Sequence, residues 1–246
     1  MTSSIKTALI TGAAQRIGAA IARELHQLGY NIIIHYRDSG TAANTLAEQL
    51  NQLREQSVAC LQADLTSVTD VQRLAIESQK IWGRIDVLVN NASSFYSTPI
   101  AQATEADWSA LIDSNLKGPF FLSQALSSNL KDNQGCIVNL VDIHSEKPMR
   151  KHAIYSIAKA GGAMMTKTLA RELAPDIRVN GVSPGAILWP EQETSEHTKK
   201  SIVDKIPLQR TGDTLDIART VAFLVCRAPY ITGQIIAVDG GRNLTM

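Results

Sequence analysis

Thr7-Ala8-Leu9-Ile10-Thr11-Gly12-Ala13-Ala14-Gln15-Arg16-Ile17-Gly18 decides the fold. Residues 7–10 are apolar or neutral without alternation, the pattern of a strand buried on both faces. A turn bearing Gly12 follows, and a helix is predicted over 17–28. A strand, a glycine turn and a helix N-terminus together make an anion site, because free backbone N–H groups and the helix dipole face one point. Glycine at 12 and 18 lets the backbone turn tightly and approach a ligand closely. Two glycines before a helix are equally a plain turn. The position at the first strand–helix junction favours the anion site.

The same alternation continues outward. Further strands are predicted at 31–35, 57–62, 86–89, 136–141, 178–182 and 235–238, and helices at 41–53, 68–82, 105–130 and 153–173. Strands of continuous apolarity alternating with helices indicate an α/β, doubly wound (Rossmann-like) parallel sheet with helices on both faces. No composition shift marks a boundary, so residues 1–246 read as a single dinucleotide-binding catalytic domain. The only irregular stretch runs from Pro184 to about Lys205, polar and following a strand's C-terminal end, where such sheets bind ligands. It is expected to form a substrate lid around 186–206.

Composition narrows the function. Apolar residues at 44% and charged residues at 19% supply a core and exclude disorder. A net charge of +1 gives no electrostatic case for nucleic acid or an anionic membrane. No apolar run reaches membrane-spanning length, and the first residues lack the apolar core of a secretion signal, so a soluble cytoplasmic protein is expected. Cys60, Cys136 and Cys226 form no CxxC pair and read as buried small residues in a reducing compartment. No His/Glu spacing suggests a metal.

The second strand runs into His35-Tyr36-Arg37-Asp38-Ser39. An acid here accepts from the ribose 2′-OH of NAD, and Asp38 lies about 20 residues beyond Gly18, the spacing expected for that role. Arg37 and Ser39 instead offer donors to the 2′-phosphate of NADP, and NADPH is the favoured cofactor. A solvated loop is the plainer alternative. Asp64, after the third strand, suits an acceptor for the adenine amino group or a helix-capping position.

Tyr155-Ser156-Ile157-Ala158-Lys159 places a phenol and an ammonium at i and i+4, on one helix face. A cation beside Tyr155 favours the phenolate, allowing proton exchange near neutral pH while hydride moves. Alone, such a pair is usually a surface pair.

Together with Thr11-Gly12…Gly18, Asp64, Asn90-Asn91-Ala92, Asn115, Arg178-Val179-Asn180, Pro184-Gly185 and Val238-Asp239-Gly240-Gly241, that pair resembles the short-chain dehydrogenase/reductase family over nearly the whole chain. The resemblance implies Tyr155 as proton donor, Lys159 on the nicotinamide ribose and lowering the Tyr155 pKa, Asn115 holding a relay water, and a homotetramer. The candidate cofactor residues are Gly12, Arg16, Ile17, Gly18, His35, Tyr36, Arg37, Ser39, Asp64, Leu65, Asn91, Ala92, Ser93, Lys159, Pro184 and Gly185.

Four positions depart from the general family: Arg16 replaces the middle glycine, Asp142 stands where a Ser is usual, Ser93-Ser94-Phe95-Tyr96 follows Asn-Asn-Ala, and the second strand runs into His35-Tyr36-Arg37. These are similar to pteridine reductases. That resemblance implies a pterin between the nicotinamide and Phe95, contacts from Arg16 and Ser93, and proton delivery by Asp142 with Tyr155. An aromatic face opposite the nicotinamide suits a flat heterocycle, and stacking contributes about 0.5–1.5 kcal/mol beyond area burial. A ring nitrogen needs a proton as hydride reaches the adjacent carbon, which a carboxyl group relays and a Ser does not. Phe95 is otherwise an apolar lid residue, Asp142 a loop cap and Arg16 a phosphate clamp. The competing functions are a ketone or 3-oxoacyl thioester reductase of the same family, and a nucleotide-binding sensor without turnover.

Overall fold

Successive residues of a strand face opposite sides of its sheet, and here both sides are apolar. Leu9, Ile33, Leu88, Ile137 and Val179 join one buried cluster, while Ala8, Ile10, Ile32, Ile34, Val89 and Val138 join another. Only a sheet covered on both faces accommodates that pattern.

The computed structural model describes residues 5–188 and 195–245. Among them β1 (Thr7–Ile10), β2 (Asn31–Tyr36), β3 (Val58–Gln62), β4 (Val87–Asn90), β5 (Cys136–Leu140), β6 (Arg178–Pro184) and β7 (Ile235–Val238) form one sheet. Their order is β3-β2-β1-β4-β5-β6-β7 and each pairing is parallel, with Leu9 opposite both Ile33 and Leu88.

One face packs on α1 (Arg16–Gln27), α2 (Gly40–Leu53) and α8 (Thr214–Cys226) through Ile21, Leu25, Leu46, Leu50, Ile217 and Val221. The other packs on α3 (Val68–Trp82), α5 (Gly118–Asp132) and α6 (Ala153–Glu172) through Leu74, Leu122, Leu126 and Met165. The strand order reverses direction between β1 and β4. The crevice beyond their C-terminal ends is therefore where such a sheet receives a ligand.

Four expectations are corrected. The helix predicted over 105–130 is α4 (Glu105–Ile112), a π-helical turn (Asp113–Lys117) and then α5. A π turn inserts one residue and keeps the chain helical, so the stretch still reads as one helix. The stretch expected to be irregular contains α7 (Glu196–Val203), with the Ser195 side chain accepting from the Thr198 amide. The expected lid, 186–206, lies partly outside the described residues. No element was expected between 206 and 234, yet α8 is there, opened by reciprocal capping between Asp213 and Asp216. Lastly, only Cys136 of the three cysteines is buried; Cys60 is intermediate, and Cys226, at the end of α8, is exposed with its sulfur 3.7 Å from the Tyr30 hydroxyl. No helix among the described residues is long and apolar enough to cross a membrane.

Candidate active site

At the switch point the β1–α1 turn is pinned from two sides. The Asn91 side-chain amide donates to the carbonyls of Thr11 (2.8 Å) and Gly12 (3.0 Å). The Thr11 hydroxyl oxygen accepts from the amides of Asn91 (2.9 Å) and Ala92 (3.0 Å). From the other side the Gly12 amide donates to His35 Nδ1 at 3.1 Å, so the ring proton sits on Nε2, which donates to the Ala63 carbonyl at 3.1 Å. Burial pulls the His35 ring down to about 4, keeping it neutral in this role. His35 and Asn91 therefore hold the loop with their side chains.

Two glycines are required by space. A Cβ at Gly12 would lie 2.9 Å from Ala92 Cα, and one at Gly18 would lie 2.3 Å from the Gly12 carbonyl oxygen. They leave a cleft of about 400 Å³ bordered by Gly12, Arg16, Ile17 and Gly18 from the loop, and by His35, Tyr36, Arg37 and Ser39 from the end of β2. Asp64, Leu65, Asn91, Ala92 and Ser93 close it.

Arg37 Nε is 2.7 Å from Asp38 Oδ2, an exposed pair, so the carboxylate that suits an NAD ribose is engaged by arginine. Ser39 stands at the N-cap of α2 and makes no side-chain capping bond there. Asp64 Oδ1 accepts from the amide and hydroxyl of Thr66, an Asx turn that leaves Oδ2 for another donor.

Arg16 takes φ of +54°, a conformation favouring glycine. Arg16→Gly relieves about 1 kcal/mol of backbone strain and adds about 0.5–1 kcal/mol of unfolded-chain entropy. These backbone effects nearly cancel, so a change in stability reports the contacts of the Arg16 side chain, and KM for the substrate or cofactor is expected to rise. Denaturant melts beside kinetics check this, and a large loss of stability would assign Arg16 to the fold instead.

At the far end α6 carries Tyr155 and Lys159, both buried. The Tyr155 hydroxyl donates to Asp142 Oδ2 at 2.7 Å, and Asp142 Oδ1 accepts from the His144 amide at 2.8 Å. Asp142 is thus both the loop cap and the partner of the phenol. Lys159 donates to the Leu140 carbonyl at 3.1 Å, its Nζ 5.6 Å from the Tyr155 ring centroid. The expected phenolate is corrected. Burial, the Asp142 charge and the bond to it raise Tyr155 well above its ordinary value, with a bond to Ser93 opposing, so the phenol is neutral. Burial lowers Lys159 to about 8 against the pull of Asp142.

Asn115, in the π turn, accepts from the Ser93 hydroxyl at 2.7 Å and donates to the carbonyls of Ser94 and Leu111, each at 2.9 Å. It ties the segment bearing Phe95 to the helix. The Phe95 ring is half-exposed, edge-on to Tyr155 at 4.9 Å.

Three cofactor candidates lie apart from the cleft: Lys159 on α6, Pro184, which ends β6, and Gly185, where a Cβ would come 2.6 Å from Asp239 Cβ. Sequence reasoning missed His152, which stacks on Phe95 at 4.8 Å and 10°. Its position three residues before Tyr155, at the N-cap of α6, was the available signal.

A family model described as enoyl-(acyl carrier protein) reductase matches residues 12–243. The chain is 36% identical to pteridine reductase 1 of Leishmania tarentolae over 279 aligned positions, covering 97% of this chain and 96% of that protein. It is 39% identical to a 3-oxoacyl-(acyl-carrier-protein) reductase of Staphylococcus epidermidis over 240 positions, covering 96% and 98%. A 3-oxoacyl-(acyl-carrier-protein) reductase of Synechocystis is 37% identical over 240 positions, covering 96% of each.

Proposed function

The chain belongs to the short-chain dehydrogenase/reductase family of oxidoreductases, and within it we propose that it is an NADPH-dependent reductase of dihydropteridines. The observation that carries this reading is the Tyr155–Asp142 bond beside the half-exposed ring of Phe95. A ketone needs only a neutral hydroxyl where Asp142 stands. A ring nitrogen needs a proton carrier.

The residues fit the cofactor. The two glycines leave room for a pyrophosphate against the N-terminus of α1. Arg37 and Ser39 offer donors to a 2′-phosphate, and Lys159 supplies an ammonium for the nicotinamide ribose. Bound NADPH supplies the hydride.

Phe95, stacked on His152 through one face, offers the other to a flat substrate, while Arg16 and Ser93 orient it. The Tyr155 hydroxyl passes its proton to the ring nitrogen and is reprotonated from solvent through the Asp142 carboxylate along their 2.7 Å bond. Carboxyl and phenol thus act as one donor, and the Lys159 ammonium offsets charge left on the phenol. The chain works as one catalytic domain in a cytoplasmic homotetramer.

The second reading, reduction of a 3-oxoacyl thioester, draws on the Staphylococcus relative. NADPH oxidation measured with dihydrobiopterin, dihydrofolate and a 3-oxoacyl thioester separates the two. The pterin reading expects kcat/KM for a dihydropterin about 10²-fold above the thioester, with a diaminopteridine competing against the pterin. A preference for the thioester overturns it, and tight NADPH binding without any turnover points to a sensor.

A further inference from the structure

The segment that bears Phe95 is held at both ends. Before the ring, Ser93 and Ser94 are tied to Asn115. After it, the Thr98 amide donates to the Lys151 carbonyl at 2.7 Å, and the Ser97 hydroxyl donates to the same oxygen at 3.1 Å. Thr98 also pairs with His152 in a single parallel bridge. The N-terminus of α6 is thereby fastened to the segment that carries the ring.

His152 occupies the N-cap of α6, yet its side chain makes no capping bond there. Nδ1 donates instead to the Arg150 carbonyl at 3.0 Å. Asn serves a helix N-cap better than His does, so the helix alone does not call for an imidazole. What the imidazole does make is the stack on Phe95, at 4.8 Å and 10°. Tyr155 meets the same ring at 4.9 Å with the planes 80° apart. A half-exposed side chain that must be ordered when substrate arrives weakens binding, and one already fixed does not. Backed by His152 and flanked by Tyr155, the Phe95 ring has its plane set beforehand.

We infer that His152 is a positioning residue that sets the plane of Phe95 for a flat heteroaromatic substrate. The inference rests on the pterin reading, in which Phe95 is the stacking face.

His152→Asn and His152→Phe separate this role from a structural one, because Asn is a good N-cap without a ring and Phe is a ring without a cap. In the full chain His152→Asn should raise KM for dihydrobiopterin about two- to tenfold, the range one aromatic stack supplies. Its kcat should hardly change, since the stack serves ground and transition states alike. His152→Phe should recover most of the loss, and in a Phe95→Leu background His152→Asn should cost little further. With 4-fluorophenylalanine at the four phenylalanines, the resonance that Phe95→Leu removes should move toward its unfolded-chain position in His152→Asn. It should stay near the wild-type position in His152→Phe. Wild-type KM in His152→Asn, an equal loss in both variants, or a loss that adds fully to that of Phe95→Leu overturns the inference. If the wild type reduces no pterin, the function reading fails and the fluorine spectrum still decides the role of His152: an unmoved resonance in His152→Asn overturns it.

Discussion

Asp142→Ser lowers kcat for dihydropterin reduction by about 10²–10⁴-fold, the span of a lost general acid, and leaves NADPH affinity unchanged. Asp142 uses one oxygen on the His144 amide and the other on the Tyr155 hydroxyl. A Ser hydroxyl replaces the first, since Ser is a good cap, so the turn keeps its shape. It cannot carry the second role, because a hydroxyl does not take up and hand on a proton as a carboxylate does. The carboxylate also helps to keep the Tyr155 phenol neutral, so in the variant Tyr155 ionises at lower pH than in the wild type. Ultraviolet difference titration reads that shift independently of turnover. Undiminished pterin reduction in Asp142→Ser would remove the carboxyl–phenol couple from the mechanism.

The sheet was legible because a strand buried on both faces needs a continuous apolar run, which 7–10, 31–35 and 136–141 display without competing signals. The glycine loop was legible for a related reason: Gly12 and Gly18 meet backbone where a Cβ has no room. Helix α8 was not read, although Asp213 with Asp216 and Ile217, Ala218 and Val221 carry a capping box and an apolar face. The π turn was beyond periodicity, yet it sets Asn115 against Ser93. The direction of the Tyr155 shift was misjudged because spacing showed the cation four residues away and could not show the carboxylate's bond. His152 escaped although it stands three residues before Tyr155, because its partner Phe95 lies more than fifty residues away in the chain.

Lys159→Met should make the protein more stable and nearly inactive. Lys159 is 4% exposed and its proton affinity falls from the ordinary 10.5 to about 8, burial being the main cause. An unfolded chain holds this proton up to about 10.4, so the unfolded state binds more protons between the two values and stability rises with pH across that window. Below it, both states are charged and the folded protein bears the whole desolvation cost, on the order of 3 kcal/mol. Met occupies the same buried space with similar length and no charge, but the Leu140 carbonyl loses its donor at 3.1 Å, which costs about 1–2 kcal/mol. The balance near pH 7 is a gain of about 1–2 kcal/mol, and it shrinks as the solution is made alkaline through the window. Urea melts at neutral and alkaline pH read both the gain and its disappearance. Activity moves the opposite way: without the ammonium nothing offsets charge left on the phenol, and kcat falls by about 10²–10³. A variant that is less stable than the wild type at neutral pH would mean that the ammonium supports the fold, and that its burial beside the Tyr155–Asp142 couple is not a cost retained for chemistry.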